Sequence, residues 1–381
     1  MSKDCYSFNE PIHVTAPLLP PLEDFTRELR DVWESGWLTN NGPKVRLFEQ
    51  SLSAFLKTPN LTLFNNGTIA LIVACQALRL SGEVITSPFT FAATPHVLTW
   101  NNITPVFCDI DDVTLTLDPR KIERLITART TAILGVHVYG MPCDVFAIKQ
   151  IADEYGLRVV YDGAHAFCAE LNGQPITDFG DATMLSFHAT KLFHTAEGGA
   201  LAVPTLELKH RIELLKNFGI KNEVDVVMPG INGKMNELQA ALGLLNLRLI
   251  EEEREARSSV AKIYRERLDG VEGITCFSLP PNVRDSMQYF VIRVNASTAR
   301  ISRDELYFRL REYNVYARRY FYPLCSDYNC YRSLPSAAGS SLPVAQRVSR
   351  EVLALPFYGE LGESNVHRIC DIILFVVGNS K

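Results

Sequence analysis

The chain has 381 residues, 47% of them hydrophobic and 21% charged, with a formal net charge of -5. That length exceeds one ordinary core and predicts two domains of unequal size, and the acidic balance excludes a nucleic-acid-binding surface as its main business. Nine scattered cysteines without a C-x-x-C pair, no Cys/His set at zinc spacing, and no apolar run long enough for a bilayer predict a soluble, cytoplasmic protein with reduced thiols and no metal.

In chain order, an Asn41-Gly42-Pro43 turn precedes Val45, Phe48, Leu52, Phe55 and Leu56 at helical spacing. Leu61 to Phe64 reads as a short strand, and Asn65-Asn66-Gly67-Thr68 opens a helix to about Leu80. Strand-like runs recur at Glu83 to Thr86, Pro105 to Cys108, Ala132 to His137, Arg158 to Tyr161, Ala182 to Phe187 and Ala200 to Val203, with helical patterns between most of them. In one crossover Asp144 is a predicted N-cap, Phe146, Ile148, Ile151, Ala152 and Tyr155 follow helical spacing, and Gly156 ends the helix. Such alternation predicts a mostly parallel sheet covered on both faces, with ligands beyond the carboxyl ends of its strands. A helix from Met235 to about Leu268 follows, its Glu251 to Glu255 charge run reading as a solvated face. Then come a strand at Gln288 to Val294, a helix at Arg303 to Tyr313, a strand at Val315 to Arg318, and helices at Ala345 to Ala354 and Val366 to Val377. The predicted division is a large domain over residues 1–250 and a smaller α+β domain over 251–381.

Lys191 lies just after the apolar run ending at Phe187, and Asp162 ends the strand that starts at Arg158. A lysine and an acid at the ends of two strands suit pyridoxal phosphate: the lysine forms the Schiff base and the acid keeps the pyridine nitrogen protonated. A carboxylate ending a buried strand is costly unless a cation or donors satisfy it; the alternative is a helix N-cap. Gly67 and Thr68 sit at a strand-to-helix turn, a ready phosphate seat, although Asn-Gly is first of all a turn signal. Ser186 and Thr190 flank the lysine and offer hydroxyl donors to the same phosphate. Phe89 follows a strand end, either as a core side chain or as a ring stacked on the cofactor. His165, at helical spacing from Asp162, is a candidate for the cofactor's phenolic oxygen or a satisfied core histidine.

These residues resemble the DegT/DnrJ/StrS sugar-nucleotide aminotransferases of the fold-type I pyridoxal phosphate class. The likeness rests on Asn66 to Leu71, Ser87 to Thr94, Asp162 to Ala166, Ser186 to Gly199 and Gly230 to Ala241, and covers almost the entire chain. It implies an α/β fold with a mostly parallel seven-stranded sheet flanked by helices and a smaller C-terminal α+β domain. It implies that Lys191 carries the cofactor, Asp162 pairs with the pyridine nitrogen, His165 lies near the phenolic oxygen, Phe89 stacks on the ring, and Gly67, Thr68 and Ser186 hold the phosphate. Asn232 would reach the phosphate of a neighbouring subunit, so a homodimer with shared sites is expected. The chain departs from the family at Gly233-Lys234, where an aromatic residue and arginine are common, and at Phe321, where many relatives carry histidine.

Within the family, Ser186 to Lys191 and Arg318 to Leu324 look most like the members making dTDP-4-amino-4,6-dideoxyglucose. The resemblance implies amination of dTDP-4-keto-6-deoxyglucose by L-glutamate, alternating pyridoxal and pyridoxamine phosphate, for surface polysaccharide (O-antigen) biosynthesis. Lys221, Lys234, Arg318 and Arg319 are candidates for the substrate diphosphate, arginine's planar fork favouring the last two. The competing readings are 3-amination of a dTDP-3-keto-6-deoxyhexose, a sugar dehydratase of the same fold, and a non-catalytic sensor. The dehydratases carry histidine where Lys191 stands, which counts against them.

Overall fold

The computed structural model describes residues 6–378. Seven strands, β1 (Leu61–Phe64), β2 (Glu83–Thr86), β3 (Thr104–Phe107), β4 (Thr130–Val136), β5 (Arg158–Asp162), β6 (Ala182–Ser186) and β7 (Gly199–Ala202), form one sheet in the order β1-β7-β6-β5-β4-β2-β3. Only β7 runs antiparallel to its neighbours; the remaining pairs are parallel. The fold class read from the sequence is therefore the one observed. β1, β2 and β7 are buried along their whole length, and even their polar members Thr62, Glu83 and Thr86 are buried, so no exposed face imposes alternation on them.

The principal helices are α1 (Leu22–Ser35), α2 (Pro43–Phe55), α3 (Gly67–Ala77), α4 (Ala93–Trp100), α5 (Val145–Tyr155), α6 (Leu206–Leu215), α7 (Glu237–Leu268), α8 (Arg303–Arg311), α9 (Pro343–Val348) and α10 (Glu363–Gly378). Val84, Leu134 and Met184 pack on α3 and α4 across one sheet face. Ile85, Ile133 and Val159, one residue out of phase, meet α5 across the other. Local chemistry sets the helix ends as expected: Asp144 accepts from the Ala147 N–H at 3.0 Å, and Gly156 closes α5 in the left-handed region at φ 65°.

α7 opens on a reciprocal capping box between Asn236 and Gln239 and runs unbroken through residue 250. Its charge run is not all solvated. Glu253 and Arg254 turn inward with Arg257, all three buried, and Arg257 Nε donates to Glu253 Oε1 at 2.6 Å. Beyond α7 a small antiparallel sheet of β8 (Ile274–Cys276), β9 (Phe290–Val294) and β10 (Val352–Leu355) packs on α7, α8 and α10. The predicted helix over 345–354 is corrected here: α9 stops at Val348, and the apolar Val352 to Leu355 run pairs with β9. The predicted strand at 315–318 shrinks to Val315–Tyr316, which pairs with Ile12–His13, while Arg318 bridges Ala354. Among the described residues no helix is long and apolar enough to cross a membrane.

Candidate active site

The carboxyl ends of β1, β2, β4, β5 and β6 converge on one cavity of about 250 Å³. Asp162 and Lys191 both line it, together with Gly67, Thr68, His165 and Ser186. Tyr289, Tyr320 and Phe321 close it from the C-terminal part of the chain.

Asp162 is the last residue of β5 and is almost wholly buried. Its Oδ2 accepts from the Thr94 hydroxyl at 2.7 Å and its Oδ1 from the Ala164 N–H at 3.0 Å. Burial raises its pKa, and those two donors and the Lys191 charge only partly oppose this. Lys191 sits on the loop after β6, its N–H donating to His188 O at 2.8 Å. Its Nζ lies 6.0 Å from the centre of the Tyr289 ring. Burial lowers its pKa from 10.5 to about 8, with Asp162 pulling the other way. A substantial fraction of the amine is thus neutral, and nucleophilic, near physiological pH.

His165 lies on a turn rather than a helix. Its ring stacks on Phe321 at 5.7 Å and meets Tyr289 edge-on at 5.0 Å. Burial and the Lys191 charge hold its pKa well below the usual value. Its Nδ1 accepts from the Tyr139 N–H at 3.3 Å, so the neutral ring carries its proton on Nε2. It is a fixed donor, not a cation.

At the end of β1, Asn66 caps α3 by accepting from the Ile69 N–H at 2.8 Å. The first-turn N–H groups of α3 have no acceptor within the helix. A Cβ on Gly67 would stand 2.8 Å from Met184 Sδ and 3.2 Å from Ser186 Cβ. Only glycine brings this turn so close to β6. An amine, a carboxylate at the end of the neighbouring parallel strand and a helix N-terminal anion seat on the same cavity fit pyridoxal phosphate.

Phe89 requires correction. It is 0% exposed, it does not line the cavity, and it packs edge-on against Tyr139 and Phe321 at 6.1 and 5.7 Å. Its N–H donates to Ser87 Oγ at 3.1 Å, a tight turn that sends the ring into the core. Phe91, two residues on and 61% exposed, lines the cavity instead. Sequence reasoning also passed over Thr94, although it opens the first turn of α4. Tyr289 and Tyr320 carry no local signal.

None of the proposed diphosphate ligands lines the cavity of its own chain. Arg319 is engaged by Asp304 at 3.0 Å and stacks on Tyr307 and Tyr322. Arg318 is exposed, and its backbone pairs with Ala354. Lys221 and Lys234 line a second depression with Lys216 and His210; Lys234 Nζ donates to Asn217 Oδ1 at 2.7 Å. Asn232 is exposed beside the same depression, its carbonyl accepting from Asn65 Nδ2 at 3.4 Å.

Comparison with known proteins agrees with this geometry. Residues 22–374 match the DegT/DnrJ/EryC1/StrS aminotransferase family. A dTDP-4-amino-4,6-dideoxy-D-glucose transaminase from Escherichia coli is 45% identical over 368 residues, covering 95% of this chain and 98% of the relative. The structure of DesI with its TDP-sugar product superposes with a TM-score of 0.93 at 34% identity, over 98% of this chain and 95% of that one. The pyridoxamine phosphate form of Spr1654, a sugar aminotransferase from Streptococcus pneumoniae, gives 0.90 at 25% identity, over 97% and 98%. A match that takes in the large sheet, α7 and the small sheet together extends far beyond a shared cofactor motif: the chain belongs to the DegT/DnrJ/EryC1/StrS aminotransferase family and is a pyridoxal phosphate-dependent enzyme.

Proposed function

We propose that this enzyme moves the amino group of L-glutamate to C4 of dTDP-4-keto-6-deoxy-D-glucose, giving dTDP-4-amino-4,6-dideoxy-D-glucose for surface polysaccharide (O-antigen) synthesis in the cytoplasm. The observation that carries the chemistry is the placement of Lys191 and Asp162 on one cavity. The sugar is supported by the 45% identity to the relative of that name.

Bound pyridoxal phosphate supplies an electron sink for the pair left when a C–H bond next to nitrogen breaks. Asp162 would hold the pyridine N–H, and α3's N-terminus with Thr68 and Ser186 would hold the phosphate. The Lys191 amine takes the proton from the α-carbon of glutamate and, in the second half-reaction, delivers a proton to C4 of the sugar. His165 would donate from Nε2 to the phenolic oxygen, and Phe91, which lines the cavity, would take the place beside the ring expected for Phe89. Ping-pong kinetics follow from the two half-reactions sharing one site.

The enzyme works as a homodimer with shared sites. Asn232, Lys221 and Lys234 do not line their own cavity, and near them in the chain Phe218, Ile220, Val224, Val226 and Val227 stand exposed. Exposed apolar residues beside cations suit a covered interface that also carries anion ligands. Asn232 and the two lysines then meet the phosphate groups of the neighbouring site.

The test is NMR of the product formed from dTDP-4-keto-6-deoxyglucose and glutamate: an amine at C3, or none, overturns the reading. Sharing is tested by mixing Lys191→Ala with Asn232→Asp chains. Each variant alone is expected to be impaired, and a mixed dimer to recover activity through one intact site; no recovery overturns the shared arrangement.

A further inference from the structure

Gln288 comes from the irregular segment leading into β9, almost a hundred residues after Lys191, yet its side chain touches both peptides flanking that lysine. Its Oε1 accepts from the Leu192 N–H at 2.7 Å, and its Nε2 donates to Thr190 O at 3.1 Å. The amide orientation is forced, since an N–H only donates and a carbonyl only accepts. Gln288 is 2% exposed, so water offers neither peptide a substitute. Tyr289, the next residue, places its ring 6.0 Å from Lys191 Nζ. Two consecutive side chains thus hold the lysine's backbone and face its amine.

This stretch is itself fastened from behind. Arg254 donates to Asp285 O at 2.9 Å and to Ser286 O at 3.3 Å. Arg257 donates to Met287 O at 3.1 Å while its Nε is held by Glu253. Three successive carbonyls before Gln288 are therefore fixed by two buried arginines of α7. Breaking a buried ion pair is costly, so this is a stiff mount.

We propose that Gln288 is a positioning residue for the reaction: its amide clamps the peptides on either side of Lys191 so that the amine stays over Tyr289, aimed into the cavity, with the α7 arginines as the clamp's support. An amide suits this place because it carries a donor and an acceptor side by side at every pH, which a carboxyl of the same length does only when protonated.

Gln288→Met keeps length and bulk and removes both hydrogen bonds. In the cofactor-free full chain, the pH midpoint for reaction of Lys191 with an amine-reactive label, read by mass spectrometry, is expected to rise from about 8 toward the ordinary lysine range as the loop releases the amine to water. In the reconstituted enzyme kcat is expected to fall about 100-fold, the cost of a misplacement near 1 Å, with KM for both substrates holding. An unmoved midpoint or an unchanged kcat overturns the assignment. Should that chain fail to fold, Gln288→Glu serves. A protonated carboxyl presents the same donor and acceptor as the amide, whereas a carboxylate opposes Thr190 O. Its defect is expected to deepen as pH rises; a defect independent of pH overturns the clamp. The inference rests on Lys191 carrying the cofactor. Normal turnover by Lys191→Ala removes that reading, whereas a dead Lys191→Ala beside an unaltered Gln288→Met removes only the clamp.

Discussion

Lys191 is expected to weaken the fold it serves. Burial takes its ammonium from 10.5 to about 8. Between those values the unfolded chain binds more protons than the folded one, so stability rises with pH through that window. The contribution of the neutral amine is complete above pH 10.5 and is lost as pH falls through about 8. At 1.36 kcal/mol per pH unit, housing the charged form costs at most about 3 kcal/mol; the contact that the side chain keeps with water lowers this to about 2 kcal/mol. Lys191→Met retains the apolar stem and deletes the charge. Urea denaturation of the cofactor-free chains at neutral pH is expected to favour the Met variant by about 2 kcal/mol, less a packing loss below about 1.5 kcal/mol. Repeating the measurement toward pH 10 is expected to shrink that advantage. A parent chain as stable as the variant throughout, or an advantage that widens with pH, refutes the reasoning.

Three further outcomes follow from the same geometry. Thr94→Val removes one of the two donors to the Asp162 carboxylate; at about 1.5–3 kcal/mol for a charge-assisted bond, the acid limb of kcat/KM for glutamate is expected to move up by about one to two pH units. A limb that stays put or moves down rules this out. Phe89→Ala is expected to cost about 3–5 kcal/mol of stability, as for other core phenylalanines. Phe91→Ala is expected to leave stability within about 0.5 kcal/mol and weaken cofactor retention by up to about tenfold; the opposite pattern in calorimetry and cofactor titration would restore Phe89 to the ring.

The strands of the large sheet were legible because burial on both faces leaves its mark as short runs rich in apolar and β-branched residues, and the ends of α3 and α5 because Asn66, Asp144 and Gly156 act on their nearest neighbours. Val352 to Ala354 was misread as helix because an apolar run next to alanines fits either period; pairing with β9, sixty residues earlier in the chain, decides it. α1 was missed altogether. Lys191 and Asp162 could be picked out because a charged residue at the end of an apolar strand is conspicuous. Phe89 and Phe91 share one local context, and only the turn at Ser87 sorts core from cavity. Gln288, Tyr289 and Tyr320 owe their positions to tertiary contacts with α7 and the small sheet, so nothing adjacent to them marks them out.

With Lys191 as the proposed attachment point, the stability spent on it is expected to return as affinity for the cofactor. Only the neutral amine bonds the cofactor's aldehyde, and at pH 7 an ordinary lysine is neutral about once in 3,000 molecules. With its pKa at about 8, Lys191 is neutral in about one molecule in ten, so bonding is eased by up to about 300-fold, the free energy of the full shift before the allowance for contact with water. The two ends of this exchange are measurable separately. Affinity for pyridoxal phosphate is expected to strengthen about tenfold per pH unit on approaching pH 8 and then to level off, well before an unperturbed lysine would. Affinity that keeps climbing toward pH 10 would mean that the folded chain never lowered the amine, and the extra stability expected of Lys191→Met would then have no source.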